Sequence, residues 1–439
     1  MSFLKESLRT FASRILLVLA NLPISILIAR HLGAEGPGIY TSVTTYATTA
    51  VVIGLLGIDA SHTYYLASRQ YRSAQILGNA VVALGVISLI LIPIFPPLLS
   101  AATRGEGDGL APFLRIGAGM VPILSARYLL LSVFMARRRI EVFNLFYVAG
   151  NLLLLALLLI GFFIFGAGPA WTLWAFLASQ GFMVLAAGRW VWVREMPSPR
   201  RLRFSVPLLR ESLSYGLRGF LPTLLTTFVY RFDTVLVVRW LGVAAQGYYM
   251  VAVLLAEKLT HITASVQAVL FPHVAAAPKD EADRLTPLVC RHTLFWVICV
   301  AAALFALSPI LIRLLYSRTF APSGAPLRIL LPGIAALTIS KLLTADLSGR
   351  NKRFFPTVIM AAALGVNLGL NVLWTRSLGI RGAAWASTVA YATQAFLMLL
   401  YYWRVTGLSP ACILLPDRED ARAYRRLIGR IAGRDRGTR

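Results

Sequence analysis

Cationic side chains lie inside several of the long apolar stretches of this chain, where a charge is costly. They are Arg14, Arg127, Arg218, Arg231, Lys258 and Lys341, against the carboxylates Asp59, Asp233, Glu257 and Asp346. A charge at the centre of a bilayer costs about 2.5–3.5 kcal/mol, so these groups are expected to face a hydrated cavity or a partner. Because guanidinium groups bind phosphate oxygens bidentately, the positive balance favours an anionic substrate such as a diphosphate.

The residues that we expect to contact such a substrate are polar positions within the apolar runs: Arg14, Asn21, Arg127, Tyr230, Arg231 and Lys341. Arg14, Asn21 and Ser25 are spaced by seven and four, which places them on one face of a helix. We expect this face to line a central hydrated cleft. The alternative is that such side chains hydrogen bond between helices of a closed bundle, or pair structurally, as Arg231 and Glu257 could.

A segment of about twenty residues occurs twice, 209 positions apart. Five residues of the first copy have identical partners in the second: Arg30, Leu32, Gly33, Gly38 and Tyr40 match Arg239, Leu241, Gly242, Gly247 and Tyr249. In the same register Arg14, Asn21 and Ser25 correspond to Thr223, Tyr230 and Thr234. This density of identities indicates duplication of a helical unit, which is a common plan among transporters. We place Arg30 and Arg239 at the outer ends of their spans, as gate or interface residues.

The composition predicts an all-α polytopic membrane protein. Hydrophobic residues make up 58% of the 439 residues and charged residues 14%, against about 25% charge in soluble domains. Apolar runs long enough to cross a bilayer recur along the chain, and we predict twelve spans in two six-helix lobes related by a pseudo-two-fold axis. The spans are 11–31, 42–66, 75–100, 111–136, 143–166, 168–192, 209–241, 243–271, 289–316, 324–347, 356–376 and 381–405.

The basic residues lie mostly in one set of loops, which predicts that both termini are cytoplasmic. The same distribution explains the net charge of +25 without nucleic-acid binding. We divide the chain into an N-terminal lobe (1–194), a cytoplasmic linker (195–206), a C-terminal lobe (207–407) and a basic cytoplasmic tail (408–439). The tail suits a helix on anionic inner-leaflet lipids, or a disordered basic segment.

No motif of an enzyme or a cofactor site is apparent. The sequence has no HExxH, P-loop or GxSxG in a suitable setting, and its cysteines have no metal-ligand spacing. Its predicted outer loops are short. We therefore expect neither an enzyme nor a bound metal or cofactor.

Four stretches of the chain resemble the polysaccharide transporters, or lipid-linked oligosaccharide flippases, of the multidrug, oligosaccharidyl-lipid and polysaccharide exporter superfamily. They are residues 29–40, residues 231–249, Leu270-Phe-Pro272, and the run from Asn367 and Asn371 to Gly379-Ile-Arg-Gly382-Ala-Ala384. The likeness covers residues 5–405, and it depends on the order and spacing of these stretches.

The resemblance implies two lobes around a central cavity and alternating access. It implies export of an undecaprenyl-diphosphate-linked oligosaccharide across the bacterial plasma membrane, with glycosyltransferases and a glycan polymerase as further partners. Coupling to a proton or sodium gradient would involve Asp59, Asp233 and Glu257. Two alternatives stay open: a multidrug cation antiporter of the same superfamily, and a membrane enzyme of polysaccharide assembly.

Overall fold

A computed structural model describes residues 21–104, 108–195 and 202–415. Arg14, residues 196–201 of the linker and the tail from 416 onward lie outside the described residues. The described part is helical: α1 covers 21–32, and the other α-helices are α2 (Glu35–Leu55), α3 (Ile58–Ala67), α4 (Ser73–Ala102), α5 (Ala111–Ala136), α6 (Ile140–Phe163), α7 (Pro169–Glu195), α8 (Val206–Glu257), α9 (Thr260–Ala276), α10 (Lys279–Tyr316), α11 (Gly324–Gly349), α12 (Phe354–Leu378), α13 (Ile380–Thr406) and α14 (Pro410–Leu414).

The helices are long and apolar enough for a multi-pass membrane protein. Within the described ranges nine helices meet the requirements of a span, or ten if the bent pair α2 and α3 is one span. The 52-residue α8 counts once, although its backbone leaves helical geometry at Gly242 and turns there from the predicted seventh span into the eighth. The first predicted span is represented only by α1. The all-helical prediction is confirmed.

The duplicated glycines make the same turn in both halves. Gly33 has φ of 64° and its counterpart Gly242 has φ of 83°. A side chain disfavours positive φ, so glycine suits both positions. Each turn sends the chain from one span directly into the next, which is why the Arg-x-Leu-Gly sequence is repeated.

The second predicted span is not one straight helix. It begins at Glu35 rather than near residue 42, and its two parts, α2 and α3, meet at 57°. Leu56 and Gly57 both have positive φ at the bend. At Gly57 the chain approaches the backbone of Gly216 in α8 so closely that a Cβ on either glycine would overlap the other backbone. The bend therefore seats α3 against α8.

Each half has its own apolar core. In the N-terminal half one core joins α2, α4 and α5 through residues such as Val43 and Leu114, which are fully buried. In the C-terminal half the largest core joins α8, α10, α11 and α13. Helix α8 also reaches the N-terminal half, where Leu208 is buried and the ring of Tyr215 stacks on that of Tyr64.

Ion pairs connect helices at the end of the bundle that carries most basic loops, here called the basic end. In the N-terminal half the Arg137 guanidinium donates to the Glu195 carboxylate at 2.9 Å. In the C-terminal half Arg350 binds Asp346 and Asp283, each at 2.7 Å. Asp346 is thus a structural partner of Arg350 at this end. The opposite end, here called the Arg30 end, carries Arg30 and Arg239.

Candidate substrate and coupling site

The main charged cluster lies in the C-terminal half, where Arg231 of α8 pairs with Glu257 at the end of the same helix. Because α8 turns at Gly242, the two residues lie on neighbouring limbs. Their side chains form two hydrogen bonds of 3.2 and 3.3 Å, which confirms the interhelical pair expected from the sequence. The Arg231 side chain is 34% exposed and the Glu257 side chain 25% exposed. The pair is therefore accessible although it lies within the span.

Lys341 of α11 joins this pair through an aromatic ring. Its Nζ lies 5.3 Å from the centre of the Tyr230 ring, within cation–π range. The Tyr230 ring in turn lies 6.0 Å from the ring of Tyr391 in α13. We call Tyr230, Arg231, Glu257 and Lys341 the Arg231 cluster. It unites three of the six predicted substrate-binding residues with one predicted coupling residue.

Asp233, two residues further along α8, belongs to a separate and fully packed network. It is 7% exposed, and the Tyr249 hydroxyl donates to its Oδ2 at 2.7 Å. The backbone N–H of Thr234 donates to its Oδ1 at 2.8 Å. A carboxylate buried in this way depends on such donors, because an unsatisfied buried polar group is costly.

A chain of polar side chains extends from Asp233 into α13 and α12. The Ser387 side chain lies beside the Tyr249 hydroxyl, and the Asn367 amide donates to Ser387 Oγ at 3.4 Å. The Asn371 amide then donates to Asn367 Oδ1 at 3.2 Å. The Asn371 and Asn367 amides donate along this chain toward Ser387, and the Tyr249 hydroxyl donates to Asp233. We call these five residues the Asp233 chain.

The predicted residues of the N-terminal half do not join the Arg231 cluster. The Asn21 carbonyl oxygen of α1 lies 3.5 Å from the Asn151 amide of α6, which is a polar contact inside that half. The Arg127 guanidinium lies over the ring of Tyr128, 5.3 Å from its centre. No carboxylate pairs with Arg127 among the described residues.

Asp59 occupies the first turn of α3, directly after the bend. A carboxylate at this position interacts favourably with the positive end of the helix dipole. One turn later His62 is buried, and its Nε2 has no hydrogen-bond partner in the part of the chain that the structure describes.

Arg30 and Arg239 hold the two halves together at the Arg30 end. Arg30 Nε donates to the carbonyl of Leu315 at 2.8 Å, and a terminal nitrogen donates to Leu314. Arg239 donates to the carbonyl of Ala102 at 3.2 Å. Each arginine therefore binds free carbonyls at the C-terminus of a helix of the other half, where a cation is also favoured by the helix dipole.

Two glycines of the repeat make an equally symmetric contact beside these arginines. A Cβ on Gly38 would overlap the carbonyl oxygen of Val243, and a Cβ on Gly247 would overlap that of Ala34. Ala34 and Val243 are themselves 209 positions apart. The repeat therefore builds a close backbone contact between the halves around a pseudo-two-fold axis.

Sequence reasoning missed several members of these networks. Tyr249 and Asn367 appeared only as parts of motifs, and Asn151, Ser387 and Tyr391 were not singled out. Serine, tyrosine and asparagine are ordinary residues in membrane helices, so type alone gives no signal. The spacing of Asn367 and Asn371, four residues apart on one face of α12, was the only sequence signal for this network.

The fold matches known transporters. One similar structure is an inward-facing multidrug resistance MATE family transporter of the MOP superfamily, with TM-score 0.76 and 16% identity over 89% of this chain and 94% of that chain. Another is the lipid II flippase MurJ in an inward closed conformation, with TM-score 0.73 and 17% identity over 99% of this chain and 94% of that one.

A third similar structure is a MOP superfamily transporter from Pyrococcus furiosus, with TM-score 0.62 and 16% identity. The match covers 93% of this chain and 96% of that chain. No curated protein matches this chain. A family model described as "Polysaccharide biosynthesis protein" matches residues 27–325. The match includes the five identical residues of both copies of the repeat and the Arg231–Glu257 pair, and the chain therefore belongs to this polysaccharide biosynthesis family, with the fold of the MOP superfamily.

Proposed function

We propose that this protein is a flippase that moves an undecaprenyl-diphosphate-linked oligosaccharide from the inner to the outer leaflet of the bacterial plasma membrane. The observation that carries the proposal is the Arg231 cluster, in which Arg231 pairs with Glu257 and Lys341 adds a second cation over the Tyr230 ring. Membership of a polysaccharide biosynthesis family and likeness to a lipid II flippase support the choice of a lipid-linked glycan.

The Arg231 cluster suggests how a diphosphate is bound and released. Arg231 is already held by Glu257, so an incoming diphosphate competes with this carboxylate for the guanidinium. Both ligands accept two parallel hydrogen bonds from the same group. The exchange keeps Arg231 paired throughout, which avoids the cost of an isolated charge inside the protein. Lys341, beside Tyr230, adds a second positive charge.

Arg14, Asn21 and Arg127 are proposed to form the opposite wall of a central cleft. The first two belong to the span that corresponds to the limb of α8 carrying Tyr230, and Arg127 lies in the same half. Alternating access then consists of the halves rocking about the cleft, with the contact at the Arg30 end open or closed.

Ion coupling is assigned to carboxylates. Asp233 ends a chain of donors and can hold a proton or a cation, and Glu257 becomes available when substrate takes Arg231. Asp59 is the third candidate. In this proposal both termini and the basic end are cytoplasmic, where glycosyltransferases supply the substrate and anionic lipids attract the basic tail.

The proposal is tested in vesicles that contain the purified protein and a fluorescent polyprenyl-diphosphate oligosaccharide. We expect protein-dependent transfer between leaflets, and a loss of about tenfold or more with Arg231→Ala or Lys341→Ala, because a hydrogen bond to a charged group contributes about 1.5–3 kcal/mol. Arg218→Ala, an exposed arginine on the same helix, is the control. Absence of transfer by the unaltered protein contradicts the function, whereas full transfer by both variants contradicts only the site.

A multidrug cation antiporter is the second candidate, because the structure with TM-score 0.76 is a MATE family transporter. The positive Arg231 cluster disfavours cationic substrates. Uptake of a cationic dye by the same vesicles, in place of the lipid-linked glycan, would favour this candidate.

A further inference from the structure

A basic cavity lies at the Arg30 end, between α10 and the start of α11. It has a volume of about 230 Å³, and its walls include Ser308, Arg313, Gly324, Ala325 and Arg328. Neither of its arginines belongs to the Arg231 cluster, although α11 contributes Arg328 to the cavity and Lys341 to the cluster.

Arg328 is fixed in this cavity by contacts that leave part of its guanidinium available. Its Nε donates to the Ser308 hydroxyl at 3.0 Å, and the group lies 5.2 Å from the centre of the Phe305 ring. The two terminal nitrogens make no hydrogen bond within the described ranges. These nitrogens form the edge of the guanidinium that binds phosphate oxygens.

Arg313 supplies the second charge, and the protein provides no counter-charge nearby. Its side chain has no carboxylate partner among the residues that the structure describes. Between Arg284 and Pro416 the sequence contains a single acidic residue, Asp346, and that residue is bound to Arg350 at the basic end. The described residues therefore give neither Arg313 nor Arg328 a carboxylate partner.

The cavity lies near the end of α10, and the ends of a membrane-spanning helix reach the bilayer interface. Arg313 lies one turn before the end of α10 at Tyr316, and Ser308 lies about 12 Å below that end at a rise of about 1.5 Å per residue. Phe305, which packs on Arg328 beside the cavity, is 49% exposed, and Ile310 and Leu314, further around α10, are 61 and 65% exposed. A phosphate in the cavity would thus be attached to a chain that lies along α10.

We propose that this cavity binds the phosphate group of a membrane lipid in the leaflet at the Arg30 end. Arg313 and the terminal nitrogens of Arg328 bind the phosphate oxygens, and the exposed face of α10 contacts the lipid chain. The site does not depend on what the protein transports. Two lipids share the required chemistry: a bulk anionic phospholipid, and a polyprenyl diphosphate after it has crossed the membrane.

The test uses the full-length protein in an uncharged detergent with a photoactivatable phosphatidylglycerol, and cross-links are mapped by peptide mass spectrometry. We expect cross-links to residues 300–330 in the unaltered protein. The yield should fall about tenfold in Arg313→Gln/Arg328→Gln, because two charge-assisted contacts are lost. The matched control Arg318→Gln/Arg381→Gln removes the same charge from exposed positions at the same end and should change the yield by less than about twofold.

A second variant keeps both charges. Ala325→Leu fills the cavity and should also prevent cross-linking of this segment. This result would distinguish binding in the cavity from nonspecific attraction of the lipid to basic residues. Equal losses in the two double variants, or normal cross-linking of Ala325→Leu, would overturn the proposal. Displacement of the probe by inorganic phosphate alone would also overturn it, since the occupant would then be a free ion. Displacement by sugar-free polyprenyl diphosphate at a lower concentration than by phosphatidylglycerol identifies the polyprenyl lipid as the occupant.

Discussion

At the residue scale, the pairing of Arg231 with Glu257 predicts a specific effect of removing the carboxylate. Glu257→Gln frees Arg231 for a diphosphate, so we expect a soluble diphosphate analogue to bind about threefold to tenfold more tightly. Release should slow, and leaflet transfer with it. Binding is measured by isothermal titration, with Glu281→Gln as the control because Glu281 is exposed at the start of α10. Weaker binding in Glu257→Gln would contradict competition between carboxylate and diphosphate.

The Asp233 chain leads to a second prediction. Tyr249→Phe removes the donor to a buried carboxylate, and an unsatisfied group of this kind costs about 1–3 kcal/mol. We expect a clear drop in the melting temperature of the detergent-solubilised protein. Tyr248→Phe at the neighbouring position is the matched control, since the Tyr248 ring packs on Phe320 and its hydroxyl has no hydrogen bond among the described residues. Equal melting temperatures for the two variants would mean that Asp233 does not depend on Tyr249.

Asp233→Asn tests coupling rather than stability. An amide keeps much of the shape and hydrogen bonding of the carboxylate but cannot lose a proton or carry a negative charge. We expect transfer down a substrate gradient to continue, and acceleration by a proton or sodium gradient to disappear. The measurement compares vesicles with and without an imposed gradient. If acceleration persists in Asp233→Asn, the coupling group is elsewhere, with Glu257 and Asp59 the next candidates.

At this scale the sequence predicted the charges well and their neighbours poorly. Arg231 and Glu257 were recognisable because ionisable residues are rare inside spans, and their pairing was confirmed. Ser387 and Asn367 could not be assigned to Asp233, because their contact depends on how α8, α12 and α13 pack. Positions 233 and 387 lie far apart in the chain, and no sequence pattern indicates that the two residues are neighbours.

At the element scale, the symmetric glycine contact predicts that a methyl group opens the Arg30 end. Gly247→Ala places a Cβ where the Ala34 carbonyl lies, so the halves must move apart. We expect Ser25→Cys, about 13 Å further into the bundle along α1 at a rise of about 1.5 Å per residue, to react several-fold faster with an impermeant maleimide. Gly85→Ala is the control, because a Cβ at Gly85 meets nothing within 4 Å. An unchanged labelling rate would show that this contact does not limit access.

The turns at Gly33 and Gly242 were foreseeable from the repeat alone, since both copies carry the same residues in the same register. The bend between α2 and α3 was not. The position of the second half that corresponds to Gly57 is residue 266, which is a valine. A repeat can only predict features that both copies share, and this one arises from the local approach of Gly57 to Gly216.

At the scale of the whole molecule, the uneven distribution of basic loops predicts one orientation. Cysteines introduced at Ser377, near the Arg30 end, and at Asn351, at the basic end, should differ in labelling. In a background without native cysteines, we expect an impermeant maleimide to label Ser377→Cys in intact spheroplasts and Asn351→Cys only after lysis. The reverse pattern would place both termini outside.

The contact of Gly38 with Val243 and of Gly247 with Ala34 is self-complementary: each half offers the other the same pair of groups. Homodimers with two-fold symmetry form this kind of interface. The present chain therefore has the geometry of two joined subunits, and the contact at the Arg30 end takes the place of their dimer interface. Since the halves have diverged in charge while this surface kept its glycines, separately expressed halves should still recognise each other there.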